Sequence, residues 1–354
     1  MHGDHPDLAL LQRSQAAIAA WLEKAVSTPT SQLAGGGAIA RAEARLAELH
    51  EGRPGLLMPS ATYALWVALR MLGTGPGDEV LIPKYDWAAS LAVVLALGAT
   101  PVVVPTDPAT LTIDPAAAAA RSGPRTAAAV ATHLFGIPAD VPALRLALPG
   151  VPVVEDCAQA FGSTLDGRPV GVLGDAAVFS FGPGKRLDVG ELGALMLRDD
   201  GLRQRALQLS AHPIRQRLSG IPAPEAANLS IRPHPLAAVL LDAALDADDA
   251  QAAILERRRL ADALLANTDI DVLGVDARRG VADRSVPVLA AQAEATRLPR
   301  TLKAAYGEVL DIEAIVEGAA GIQRIAFITA APPPLEFPTL RPTASSSHEL
   351  REGR

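Results

Sequence analysis

Short apolar runs take turns with segments whose apolar positions recur at helical spacing, and the alternation holds from residue 55 to about residue 198. GLLMPS (55–60) reads as a strand, and ATYALWVALRML (61–72) as a helix. GPGD (75–78) is a turn and EVLIP (79–83) the next strand. SLAVVLALGA (90–99) predicts a helix, TPVVVP (100–105) a strand and PAAAAARS (115–122) a helix. TAAAVATHLFG (126–136) predicts a strand, PALRLAL (142–148) a helix and VPVVED (151–156) another strand. AAVFSF (176–181) and GALMLR (193–198) follow as strands close in sequence. Apolar strands uninterrupted by polar residues are buried on both faces, so the pattern predicts an α/β fold with a mostly parallel central sheet and helices on both faces.

From about residue 202 to 262 the pattern turns helical, with ERRRLADALLA (256–266) the clearest amphipathic piece, and it alternates again to about residue 330. This divides the chain into a large unit over 1–240, with an N-terminal helical segment, and a small C-terminal α/β unit over 241–330. APPPLEFPTLRPTASSSHELREGR (331–354) is rich in Pro and Ser and reads as a disordered tail.

The 354 residues suffice for a core that needs neither disulfide nor metal. Thirty-two basic against 39 acidic residues, with no basic block, argue against nucleic acid as a partner. No apolar run is long enough to cross a bilayer, which argues against a membrane. The N-terminus lacks a basic segment followed by an apolar core, and Cys157 is the only cysteine, so the expected location is cytoplasmic. His2 and His5 are too isolated to argue a metal site, and no metal is expected.

Polar residues sit where such a scaffold places its ligands, outside the carboxyl ends of the strands. Asp156 ends VPVVED, and Gln159 follows it by three residues. In SATYAL, Ser60, Ala61 and Thr62 form a small-residue turn into a helix, whose free N–H groups suit an anion, although Ser60 and Thr62 also fit a plain capping role. Ser180 and Lys185 lie in FSFGPGK, among glycines, and Trp87 follows a strand end as a flat aromatic face. Together these are the parts that a phosphorylated aromatic aldehyde requires: a Schiff-base lysine, an acid for a pyridine nitrogen, and a phosphate cup. His133 ends a strand near the same crevice and reads better as a satisfied structural histidine. Cys157 points to the other face of its strand end and reads as a small buried residue.

Seven ordered segments resemble one known family: PSATYAL, GPGDEVLIP, YDWAAS, GATPVVV, HLFGIPAD, VEDCAQAFGS and FSFGPGK followed by GELGA. The chain is similar to the DegT/DnrJ/EryC1/StrS sugar aminotransferases, pyridoxal-phosphate enzymes of fold type I. The resemblance implies the cofactor pyridoxal 5'-phosphate, with Lys185 as its Schiff-base lysine and proton shuttle and Asp156 as the partner of its ring nitrogen. It implies Gln159 near the phenolic oxygen, Trp87 stacked on the ring, and Ser180 with Ala61 and Thr62 on the phosphate. It also implies a homodimer with shared active sites, in which Asn228 or Ser230 reaches the neighbouring subunit's phosphate. The implied reaction moves an amino group from glutamate or glutamine to a keto sugar, cyclitol or related keto intermediate in natural-product or polysaccharide biosynthesis.

The chain departs from the family pattern at several places. Ala61 stands where the family usually has glycine, which requires a negative φ there. Leu192 replaces a common second glycine and is expected to narrow the space beside the cofactor. In NLSIRPHPLAA, Arg232 aligns while Ser230 falls at the usual Asn position and Asn228 lies two residues earlier. His212 is followed by Pro213 rather than glycine, and the C-terminal part lacks the family's usual substrate segment. Two alternatives therefore stand beside an aminotransferase. One is a relative with altered chemistry (dehydration, decarboxylation or C–C bond formation), and the other a non-catalytic, cofactor-binding regulatory partner.

Overall fold

The computed structural model describes residues 13–21, 34–222, 228, 230, 232–267 and 271–282, together with the backbone of strands at 285–290, 308–311 and 324–329. His2, His5 and the segment 331–354 lie outside the described residues. Helix α1 covers residues 13–21 and α2 Ala38–Leu49. There follow β1 (Gly55–Met58), α3 (Ala61–Met71), β2 (Glu79–Pro83), α4 (Ala88–Ala96), β3 (Thr100–Val104), α5 (Pro115–Arg121), β4 (Thr126–Thr132), α6 (Val141–Ala147) and β5 (Val153–Asp156). The short strands β6 (Thr164–Leu165) and β7 (Arg168–Pro169) precede β8 (Ala176–Ser180) and β9 (Gly193–Leu197). Helices α7 (Asp200–Ser210), α8 (Pro213–Leu218), α9 (Pro235–Ala247) and α10 (Ala250–Asn267) come next.

Seven strands form the central sheet in the order β1-β9-β8-β5-β4-β2-β3. The pairs β2–β3, β2–β4, β4–β5 and β5–β8 are parallel, whereas β9 runs antiparallel to both β8 and β1. The fold is thus α/β, mostly parallel, with apolar clusters on both faces of the sheet. Side chains alternate across a strand. Val130, Val154, Val178 and Leu195 enter the cluster under α3, while Ala131, Val153, Phe179 and Ala194 enter those under α2, α5, α6 and α9. Counting on by two, Thr132, Asp156, Ser180 and Gly193 all emerge on the α3 face. The same period sends Leu192 to the opposite side, where it is fully buried beside Phe181 and Ala194. Leu192 therefore packs the core and does not narrow the site.

The strand expected over 126–136 stops at Thr132. Phe135 (φ 58°) and Gly136 (φ 74°) are left-handed, a conformation no strand continues, and Leu134–Gly136 form one 3₁₀ turn. The domain boundary expected near residue 240 falls inside α9, which lies against α2 and contributes Val239, Leu241 and Leu245 to the buried cluster. The packing of the large unit thus carries on past 240. Beyond it, β10 (Asp271–Val272), β11 (Arg279–Gly280), β12 (Ser285–Ala290), β13 (Glu308–Asp311) and β14 (Arg324–Thr329) complete the order. Four of them form an antiparallel sheet, β10-β12-β14-β13, and β11 joins β6 and β7. Among the described residues no helix is long and apolar enough to cross a membrane.

Candidate active site

Ser180 and Gly193 are the last registered pair of the β8–β9 hairpin, so residues 181–192 form its loop and carry Lys185. The loop is pinned from within. Both carboxylate oxygens of Asp188 accept backbone N–H groups, from Gly184 at 3.1 Å and from Gly190 at 2.9 Å. Lys185 N–H donates to Gly182 O at 3.2 Å, closing a tight turn in which Gly184 takes φ 76°. Arg186 ties the loop to the C-terminal part, donating to Asp248 Oδ1 at 2.7 Å and to Ala282 O at 3.1 Å.

Across the β1 edge, Ser60 caps α3, its Oγ accepting from Tyr63 N–H at 3.2 Å. Among the described residues the N–H groups of Ala61 and Thr62 have no intrachain acceptor, as expected for a helix start. Ala61 is the first helical residue and its φ is not positive, so alanine is tolerated where the family has glycine. The turn lies against β9: a Cβ added to Gly193 would stand 2.5 Å from Ala61 N and closer still to the Ser60 carbonyl. Glycine there lets the free N–H groups of α3 approach Ser180, which pairs with Gly193 on the other side.

Asp156 is buried at the end of β5, its Oδ1 accepting from Ala158 N–H at 2.9 Å. Burial pushes its carboxyl above the usual range, opposed by that hydrogen bond and by the charge of Lys185. The lysine loop and Asp156 thus share one electrostatic environment. Trp87 precedes α4 and is 56% exposed, an open indole face at the same end of the sheet. Gln159 Oε1 accepts from Phe135 N–H at 2.7 Å, holding the left-handed turn after β4, and among the described residues its amide N–H groups have no partner.

Asn228 is held within its own chain: its Nδ2 donates to Gln208 O and Ala211 O, both at 3.0 Å, and its Oδ1 accepts from Ser230 N–H at 2.8 Å. Ser230, at φ 45°, keeps a buried Oγ with no partner among the described residues. His212 caps α8, its Nδ1 accepting from Ile214 N–H at 3.2 Å. His133 is fully buried. Its Nδ1 accepts from Ala139 N–H at 2.9 Å, so its Nε2 carries the proton toward Glu155 Oε2 at 3.1 Å. Cys157 is buried, and desolvation with the neighbouring carboxylates holds its thiol well above the usual range. His133, Glu155 and Cys157 lie within 4.8 Å of one another, but hydrogen bonds already claim the imidazole and the carboxylate.

Two acids near this site escape a motif-based reading. Glu155 accepts from Gly171 N–H at 2.9 Å, Leu173 N–H at 2.8 Å and Gly174 N–H at 2.6 Å, and is held below the usual carboxylate range by His133 and these donors despite its burial. Asp86, just before Trp87, buries its carboxylate beside Asp156. Its only sequence signal is an acid standing between two aromatic residues at a strand's carboxyl end.

The chain matches the DegT/DnrJ/EryC1/StrS aminotransferase family over residues 16–275. The chain belongs to this family. A relative from Acidithiobacillus ferrooxidans, UDP-N-acetyl-3-dehydro-alpha-D-glucosamine 3-aminotransferase, is 41% identical over 169 residues, covering 47% of this chain and 46% of the relative. L-glutamine:2-deoxy-scyllo-inosose aminotransferase of Micromonospora echinospora is 42% identical over 173 residues, covering 48% of this chain and 41% of the relative. These matches span less than half the length of the curated relatives. Over the whole fold, the crystal structure of 3-amino-5-hydroxybenzoic acid synthase superposes with a TM-score of 0.77 at 25% identity, covering 90% of this chain and 91% of that one. DesV of S. venezuelae, solved with a ketimine intermediate, gives 0.72 at 28% identity, covering 88% and 91%. As a member of the DegT/DnrJ/EryC1/StrS family, the chain carries a lysine loop, strand-end acid and helix-start turn at one end of one sheet face.

Proposed function

We propose that this chain is a pyridoxal-phosphate-dependent aminotransferase that passes an amino group from glutamate or glutamine to a keto sugar or cyclitol, in natural-product or polysaccharide biosynthesis. The observation that carries the reading is the convergence of Lys185, Asp156, Ser180 and the Ala61–Thr62 N–H groups at one end of the α3 face. The donor set fits the cofactor: an amine, an acid within its field, and an anion cradle that a Cβ at Gly193 would close. Bound there, pyridoxal phosphate would supply an electrophilic carbonyl and a ring able to take up an electron pair.

The chain's own residues would do the rest. Ser180 Oγ and the free N–H groups of Ala61 and Thr62 would hold the phosphate, in the manner of a helix N-terminus. Asp156 would keep a proton on the ring nitrogen, since a buried carboxylate strongly favours a cationic neighbour. Trp87 would offer its exposed indole to a ring face, and the Gln159 amide would be the donor for the phenolic oxygen. Lys185 would hold the cofactor through its amine, and once displaced by an amino donor that amine would be the base that removes and returns the Cα proton.

A homodimer is part of the same reading. Helix α4 is apolar on its outward face, where Leu91 is 44% exposed and Leu95 57% exposed, in line with Trp87. An exposed apolar stripe of this kind is a surface that a partner covers. A second copy seated there would adjoin the site, and of the two candidates for reaching a neighbouring phosphate, Ser230 has a hydroxyl to offer while Asn228 is engaged in its own chain. The unpaired Cys157 suits a cytoplasmic location.

The test is the visible absorbance of wild type and Lys185→Ala with pyridoxal phosphate, before and after L-glutamate or L-glutamine. The expected result is a yellow wild type that bleaches to a pyridoxamine spectrum and a variant that does not respond. A yellow protein unmoved by any amino acid would favour the altered-chemistry or regulatory readings. A colourless wild type would overturn cofactor binding altogether.

A further inference from the structure

Asp86 belongs to none of the roles above, yet one of its two carboxylate oxygens is buried without a hydrogen-bond partner among the described residues. Its Oδ1 accepts from Trp87 N–H at 2.7 Å and from Thr132 Oγ1 at 2.9 Å; its Oδ2 is shielded from solvent with no partner at hydrogen-bonding distance among the described residues, although the nearby Ser90 hydroxyl favours its charged form. Thr132 is the direct register partner of Asp156 in the β4–β5 ladder, and the next residue, His133, donates its N–H to Asp156 O at 3.0 Å. One threonine therefore joins the loop that presents Trp87 to the strand that presents Asp156.

Resting on the proposed cofactor, we propose that Asp86 is a positioning residue that tunes the negative charge Asp156 presents to a cationic ring nitrogen. The groups facing Asp86 are Asp156 from β5, the Thr132 hydroxyl from β4 and Ser90 from α4, with Trp87 N–H from its own loop. Lys185 and His133 act on Asp156 in turn. Two carboxylates thus share a water-poor site whose described cation is Lys185, and both cannot ionise cheaply. Burial first, and then the charge of Asp156, push the Asp86 carboxyl up to about 7. With Asp86 protonated, Asp156 keeps its charge against the lysine. A cationic ring nitrogen beside Asp156 would favour ionising the second acid as well, and Asp86 would release its proton. No covalent change is involved; the proton passes to solvent.

The experiment measures binding of pyridoxal phosphate to the apoprotein by quenching of tryptophan fluorescence, at about pH 6 and about pH 8. Calorimetry in two buffers of different ionisation enthalpy counts the protons released. Wild type is expected to bind tighter at the higher pH with net proton release. In Asp86→Asn the ratio of the two Kd values should fall by at least about threefold and part of the proton release should vanish. The phosphate's own titration remains in both proteins and cancels from the comparison. If Asp86→Asn does not fold, Thr132→Val decides. Losing a hydrogen bond that favours the charged form should move the inflection to higher pH, and an unmoved inflection would overturn the inference. Uptake by Asp86→Asn with the wild-type pH profile and proton count would sink the role of Asp86 alone. No uptake by wild type at either pH would overturn the proposed cofactor and this inference together.

Discussion

Gly193 and Ser60 approach each other so closely that the glycine has no room for a Cβ, which would collide with the Ser60–Ala61 peptide. The contact seats the free N–H groups of α3 against the strand end that carries Ser180. Gly193→Ala is expected to push the helix start away, at a cost of about 1–3 kcal/mol in stability and on the order of tenfold or more in affinity for pyridoxal phosphate. Thermal unfolding of the apoprotein and a fluorescence titration with the cofactor read the two effects separately.

Asp156→Asn should still take up pyridoxal phosphate but react poorly. An amide presents no charge to a ring nitrogen, so the half-reaction with L-glutamate or L-glutamine should slow on the order of 100-fold or more. Stopped-flow absorbance checks it, and a variant reacting at the wild-type rate would remove Asp156 from its assigned role.

Glu155→Ala should destabilise the large unit by about 3–5 kcal/mol, because it strands three buried backbone N–H groups and the His133 ring together. The wild-type carboxyl is held below its unfolded value. Its contribution is therefore present above the unfolded pKa and lost as pH falls through the folded one. Urea unfolding at neutral and acid pH would show the variant's deficit shrinking on acidification.

Asp86 has the opposite sign. Its folded pKa is raised to about 7, so the folded apoprotein binds the proton more tightly and its stability falls as pH rises from about 4 to 7. Asp86→Asn should remove that decline, gaining up to about 4 kcal/mol over wild type above neutrality. Chemical denaturation of the two apoproteins across this range is the check, and parallel curves would contradict it.

Leu91→Glu with Leu95→Lys places charges on the outward face of α4. Sedimentation velocity is expected to show a dimer in wild type and a monomer in the double variant. An unchanged dimer would mean that the second copy docks elsewhere.

Much of the fold was legible because period-2 and period-3.6 patterns are local. EVLIP is observed as β2 over the same residues, and GALMLR and AAVFSF lose only their last residue to the turn that follows. The lysine loop, the acid ending VPVVED and the helix-start turn were likewise readable as motifs, since each is contiguous in sequence. Tertiary structure decided what depends on neighbours distant along the chain. Leu192, expected beside the cofactor, faces the core because the pleat of β9 puts Gly193 on the opposite side. Strand β4 stops at Thr132 because Phe135 is locked left-handed by Gln159 Oε1, twenty-four residues away. Asn228, one of the two candidates the sequence left open, is engaged by the end of α7. Asp86 is an ordinary acid in the sequence. It becomes a perturbed one only where folding brings Asp156 and Thr132 beside it and removes the water, because desolvation and charge repulsion depend on distances that no local pattern encodes.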